Sequence, residues 1–235
     1  LEIFLTLFVS PFLDRDVVAS LRKIRGLLGR ELMVFREVAS TNDMAFLLAE
    51  RGCQPGLVVC AESQSAGRGQ FGRSWHSKEG LGLWVSLLVD YPDHLTDSSV
   101  FTWWAAVALA GSLSQCTAVP IAIKAPNDLY HAGKKIGGIL VETRLVVARR
   151  LAVVGFGINV SHNQSDFPEP LRATATSLSL ALGNPPPPRE AILASILDAM
   201  EMTRPLLAKN ASALYDAYRQ RVDSAALTPS LPSIP

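Results

Sequence analysis

The chain has 235 residues, 49% of them hydrophobic and 18% charged, with a formal net charge of +1. That length can bury a sizeable core as one large domain, and the composition is that of a globular protein. So small a net charge excludes a global field that would gather nucleic acid, and any basic function must be local.

Cys53, Cys60 and Cys116 lack metal-ligand spacing and read as reduced thiols, small and buried rather than nucleophilic. Residues 1–9 are apolar but include Glu2, with no basic leader and no small-residue cleavage pattern. They also fall far short of the roughly 20 residues that span a bilayer. A soluble, cytoplasmic protein without a membrane partner is expected.

Val17, Val18, Leu21, Ile24, Leu27 and Leu28 recur at helical spacing, predicting a helix over residues 14–28 that stops at Gly29. Residues 31–38 alternate as a strand, and Ser40 is placed to cap a helix over residues 41–51 closed by Gly52. Strands are predicted over residues 57–61 and 81–89, and the long apolar segment 98–116 reads as a buried helix on one face of the sheet. A strand at 121–124 leads into a polar turn, and a hairpin turning at His131-Ala132-Gly133-Lys134 follows. Residues 145–148 and 151–160 continue the strand pattern, so the centre of the chain is antiparallel or mixed sheet. Prolines 185–188 read as a stiff linker, Ile192 to Tyr218 as terminal helices, and the proline-rich, uncharged end as an irregular tail.

Ser63-Gln64-Ser65-Ala66-Gly67-Arg68-Gly69-Gln70-Phe71-Gly72-Arg73-Ser74-Trp75 is the most informative segment. Glycines let backbone N–H groups approach a ligand closely, and arginines offer forked donors to carboxylate or phosphate. Its Gly-x-Gly-x-x-Gly pattern follows a strand but runs into another strand rather than a helix, which rules out the dinucleotide-binding reading. A protein-kinase reading fails too, since neither His-Arg-Asp nor Asp-Phe-Gly occurs. A flexible surface loop remains the bland alternative.

Three further clusters carry polar chemistry. Lys124-Ala125-Pro126-Asn127-Asp128 sets a cation at a strand end and an amide and a carboxylate in a turn; alone, it is ordinary turn chemistry. Its lysine could meet phosphate and its aspartate could hold Mg²⁺. In Lys134-Lys135-Ile136-Gly137-Gly138, paired glycines inside an apolar strand imply close approach by a ligand or another backbone, and Lys135 suits an anion. Gly155-Phe156-Gly157-Ile158-Asn159 places an amide at the end of a glycine-interrupted strand, suited to a base edge or equally to a bulge beside a capping Asn.

Taken in this order, the four clusters resemble the biotin protein ligases, also called biotin–[acetyl-CoA-carboxylase] ligases, over residues 40–160. That resemblance implies an α+β fold with a mixed, largely antiparallel sheet flanked by helices, related to class II aminoacyl-tRNA synthetases. It divides the chain into a catalytic domain at 1–222 and an irregular tail at 223–235, with the family's small C-terminal β-barrel not evident. It implies that biotin and ATP give biotinyl-5′-AMP and pyrophosphate, after which a lysine of a biotin carboxyl carrier protein attacks the mixed anhydride. Lipoate or octanoate transfer on the same fold, or a non-catalytic biotin- or nucleotide-binding module, are the alternatives.

Carried over by residue, the resemblance assigns Ser40, Thr41, Asn42, Gln64, Gly67, Gly69, Gln70 and Gly138 to biotin. Arg68 would hold the reacting carboxylate and α-phosphate, and Lys135 would neutralise the charge developing between them. Arg73, Trp75, Lys124, Asn127 and Asn159 would serve ATP, and Asp128 would serve Mg²⁺. Two positions depart from the family pattern: Gln70 stands for its usual middle Arg, and Ala125 for its usual Trp. No basic recognition helix precedes Ser40, so DNA is not an expected partner. A homodimer stays open, since pairing through an edge strand depends on the fold.

Overall fold

The computed structural model describes residues 12–209 and 211–222. Its centre is a seven-stranded sheet in the order β1-β2-β3-β7-β6-β5-β4. The strands are β1 Leu32–Val38, β2 Val58–Gln64, β3 Gly82–Asp90, β4 Ala122–Lys124, β5 Asp128–His131, β6 Lys134–Val146 and β7 Arg149–Asn159. β1 and β2 run parallel, and every other neighbouring pair is antiparallel. The expected α+β class and mixed, largely antiparallel sheet are both present.

Alternation along the strands sends side chains to opposite faces. One face carries Val85, Leu87, Val154, Phe156 and Ile158 against helices α3 Ser99–Thr117 and α5 Arg189–Thr203. Apolar nearly all round, α3 is buried as its composition predicts. Leu88, Leu151 and Val153 face the other way, onto Ala45, Phe46 and Ala49 of helix α2 Thr41–Glu50. The remaining helices are α1 Arg15–Leu21, α4 Leu178–Leu182, α6 Pro205–Lys209 and α7 Ala211–Arg219.

Three expectations need correction. The helix predicted over residues 14–28 ends at Leu21, because Arg22 leaves the helical region with φ −65° and ψ 129°. Its buried guanidinium pairs with Asp198 and also donates to the carbonyls of Leu28 and Ile24, both at 2.8 Å. The same carboxylate accepts the N–H groups of Lys23 and Ile24 at 2.7 and 3.2 Å. Donors that a helix would have satisfied are met from α5 instead, and tertiary bonding overrides the periodicity.

Of residues 145–148, only Leu145 and Val146 continue the strand. β6 ends at Val146, and Val147 and Ala148 form the hairpin turn with φ of 47° and 61°. Such a turn normally advertises itself by Asn-Gly, and Val-Ala gives no such signal. Ser40 precedes α2 but makes no side-chain cap; the first N–H of the helix, on Thr41, goes to Gln64 Oε1 at 2.8 Å.

Prolines 185–188 fall between α4, which the sequence did not reveal, and α5. The apolar run at 1–9 and the tail at 223–235 lie outside the described residues. Cys60 is buried, and burial pushes its thiol up, whereas Cys53 and Cys116 are half-buried. Among the described residues, no helix is long and apolar enough to cross a membrane.

The Arg22–Asp198 pair sets the exit of α1, so Asp198→Ala should leave a buried cation without its counter-ion and the Lys23 and Ile24 N–H groups without partners. We expect a loss of about 3–5 kcal/mol, as for other broken buried ion pairs, read as a lowered urea midpoint.

Candidate active site

The ten-residue α2 covers only part of its face of the sheet. Beyond Val153, the same face continues through Gly155, Gly157 and Asn159, where no helix lies above and a cleft of about 460 Å³ opens. Gly138 on β6 and Gly157 on β7 are direct cross-strand partners, leaving a side-chain-free patch in the floor.

At one end of the cleft, three of the expected residues form a polar web. Gln64 Oε1 accepts from both the N–H and the hydroxyl of Thr41, at 2.8 and 3.1 Å, and Gln64 Nε2 donates to Ser77 Oγ at 2.9 Å. Ser86 Oγ lies 2.8 Å from Thr41 Oγ1 and 2.6 Å from Asn42 Oδ1. Asn42 Nδ2 donates to Glu142 Oε2 at 2.7 Å, and Asn42 rests on Gly155, where a Cβ would collide with it. Ser40 is buried beside them.

The glycine-rich segment is a small hairpin rather than a loose loop. Trp75 N–H donates to Gly67 O at 2.8 Å, Gly69 N–H donates to Arg73 O at 2.7 Å, and Arg68 bridges Ser74. Phe71 and Gly72 turn its tip with φ of 58° and 72°. A left-handed Phe is uncommon and strained, yet here its ring is 89% exposed at the rim of the cleft.

Arg68 grips Asp43 with two nitrogens at 2.5 and 3.0 Å and reaches Glu142 at 3.0 Å, while Arg144 reaches Asp43 at 2.9 Å. The hydrogen bond from Arg68 holds the Asp43 carboxyl below its usual range; burial opposes this, and Arg144 adds to it. Sequence reading treated Arg68 as a donor open to anions and gave Asp43 and Glu142 no role. Asp43 looked like an ordinary first-turn acid of α2, and only the fold brings Glu142 to it.

Trp75 lies across the glycine patch. A Cβ on Gly157 would stand 2.6 Å from its indole, and one on Gly138 would stand 3.1 Å from it. Close approach was the expected meaning of these glycines, and a side chain of the protein itself makes it. Lys135 Nζ sits 5.3 Å from the centre of the Trp75 ring and 2.6 Å from Asp128 Oδ1. Lys124 Nζ lies over the Tyr130 ring at 4.9 Å. Asn127 Nδ2 and Asn159 Nδ2 donate to the carbonyls of Ile139 and Thr176, at 2.6 and 3.0 Å.

Nearly every expected site residue therefore lines one cleft: Ser40, Thr41, Asn42 and Gln64; Arg68, Gly69, Gln70, Arg73 and Trp75; Lys124, Asn127, Asp128, Lys135, Gly138 and Asn159. Gly67 is not among the lining residues; its Cβ position is taken up by Trp75 O at 2.6 Å, so it serves the closure of the hairpin. Phe167, Leu171, Thr174 and Ala175 complete a wall that sequence reading missed, because they sit in irregular chain between short helical turns. Asp128 is a lone carboxylate held by Lys135, and the described residues contain no cluster of three or more His, Cys, Asp or Glu. This is no resident metal centre, and it suits only an ion that arrives with its own phosphate ligands.

Comparison with known proteins agrees with this arrangement. The chain is 39% identical over 158 residues to the bifunctional ligase/repressor BirA of Bacillus subtilis, covering 67% of this chain and 49% of that protein. It is 35% identical over 181 residues to the biotin–[acetyl-CoA-carboxylase] ligase of Mycobacterium tuberculosis, covering 73% and 63%. The chain thus spans about half to under two thirds of these relatives. Its fold superposes on the biotin protein ligase from Aquifex aeolicus in complex with biotin and ATP with a TM-score of 0.71 at 27% identity, covering 82% of this chain and 78% of that one. The sequence model of the biotin/lipoate A/B protein ligase family matches residues 34–159, which contain almost the whole cleft, and the chain belongs to that family.

Proposed function

We propose that this chain activates biotin with ATP to biotinyl-5′-AMP and transfers the biotinyl group to a lysine of a biotin carboxyl carrier protein. The observation that carries this reading is Lys135: its ammonium, anchored at 2.6 Å by Asp128, shares one cleft with the polar web of Thr41, Asn42 and Gln64 and with the nucleotide-side residues Lys124, Asn127 and Asn159. Support also comes from relatives named as biotin ligases and from the Aquifex complex with biotin and ATP.

Ser40, Thr41, Asn42 and Gln64 offer hydroxyl and amide groups matched to a ureido ring, which needs both donors and acceptors. The biotin carboxylate then attacks the α-phosphorus, the bond to the β-phosphate oxygen breaks, and pyrophosphate leaves. Negative charge builds on the oxygens between the carboxylate and the phosphorus, and the cations of Lys135 and Arg68 stabilise it there. In the second step, the carrier lysine attacks the acyl carbon and AMP departs, so the cleft works mainly by positioning.

Gly69, Gln70 and Gly138 close around biotin, while Arg73, Trp75 and Lys124 attend the nucleotide. Asp128 would be the carboxylate to hold Mg²⁺ brought by ATP, and that ion would neutralise phosphate charge. We assign residues 1–222 to the catalytic domain and the activity to the cytoplasm, where ATP and carrier proteins coexist.

Replacing Lys135 with Ala should lower biotin-dependent ATP–pyrophosphate exchange by about 10²–10³, the cost of removing one preorganised charge-stabilising donor, while leaving the thermal midpoint nearly unchanged. Exchange that proceeds with lipoate and not with biotin would overturn the substrate, and no exchange with either would favour a binding module. Gln70→Arg should slow release of biotinyl-AMP by up to about fivefold, the range of one partly exposed charge pair. Unchanged release in a rapid-dilution assay would remove Gln70 from the explanation of how the intermediate is retained.

A further inference from the structure

We infer that His162 is a positioning residue for the outer wall of the cleft, and that it holds residues 163–176 against Lys135 only while its imidazole is neutral. His162 is fully buried just past the end of β7. Its ring stacks on Phe167, centroids 5.0 Å apart with planes at 14°, and meets the edge of Trp84 at 6.0 Å. Trp84 in turn meets the edge of Trp75 at 6.2 Å. Phe167 and Trp75 both line the cleft, so this buried imidazole backs two of its surfaces.

The segment that starts at His162 also closes on the residue proposed to be essential. Lys135 N–H donates to Thr174 O, and Thr176 N–H donates to Lys135 O, both at 2.8 Å. Ser177 Oγ donates to the His162 carbonyl at 2.7 Å, so the segment is tied at both ends. Loss of the Phe167 stack would loosen a wall whose far end fixes the backbone of Lys135.

Neither Nδ1 nor Nε2 of His162 has a hydrogen-bond partner. A phenyl ring would fill the same space without leaving polar atoms unsatisfied. What His adds is the capacity to gain a proton, which Asp166 and the Leu81 backbone favour and burial opposes more strongly. Burial pushes the imidazole down to about 4 from its ordinary 6.5; Asp166 opposes this, and His76 and Lys78 add to it. Asp166 is itself held by Lys78 at 2.6 Å.

The closed wall binds fewer protons than the opened one between these two values. Its stability is therefore complete above about pH 6.5 and is lost progressively as pH falls towards 4.

The test is amide hydrogen exchange on the ligand-free chain between pH 7.5 and about 3, corrected for intrinsic exchange. In the wild type, the opening constant for residues 163–176 and Lys135 should rise towards tenfold per pH unit below about 6.5, the slope of one proton. His162→Phe should hold the wall closed and flatten that slope. Asp166→Asn removes a charge that favours imidazolium in the closed wall, so its slope should continue below about pH 4, where the wild type levels off, which keeps a test available if the phenylalanine variant does not fold.

Equal slopes in the wild type and His162→Phe, or an Asp166→Asn profile that matches wild type, would overturn the proposal. So would a pH response spread evenly over β3 and β7, which would mark a global rather than a local effect. The inference rests on the ligase reading only where it calls this wall part of an active site, and exchange without ligand is independent of that reading.

Discussion

The site depends on a steric vacancy at the centre of the sheet. Gly138 and Gly157 face each other across β6 and β7, both strands continuous and buried, so the hydrogen-bonded ladder persists while the side chains above it vanish. A ladder of this kind is stiff, and its patch cannot be filled by repacking a neighbour on the same strand. Every other part of the cleft is disposed around it: Trp75 lies on it, Asn42 rests on Gly155 beside it, and Lys135 projects over it from the start of β6.

Around this floor, charge is arranged in pairs rather than as a single positive field. Arg68 answers Asp43 and Glu142, Arg144 answers Asp43, and Lys135 answers Asp128. Such pairing keeps long cationic side chains in defined rotamers before any anion arrives, which lowers the ordering cost of binding. An incoming carboxylate or phosphate then competes with carboxylates already present, so affinity at this end reflects a difference between two ion-pair geometries.

Much of this was legible in the sequence, because the residue types that line the cleft are rare in their positions. Glycines inside apolar strands and arginines between glycines have few structural uses, and their order along the chain carried the family resemblance. What sequence could not show were partners joined only by the fold. Asp43 and Glu142 lie on different elements and meet through Arg68, and Asp198 ends α1 from a helix more than a hundred residues away. The Val147-Ala148 turn stayed hidden for the opposite reason: Val favours extended chain and Ala favours helix, and the two long strands they join, not their own preferences, set their left-handed angles.

The rung between Arg68 and Ser74 makes the two arms of the glycine-rich hairpin one mechanical body. One arm ends in a cation latched to acids at one end of the cleft, and the other ends in an indole laid over the glycine floor. Any motion that lifts the indole must pull on the latch, and any ligand that releases the latch frees the indole. Displacement at one end of the cleft is thereby carried to the other through a lever a few residues long, a coupling that neither surface has alone.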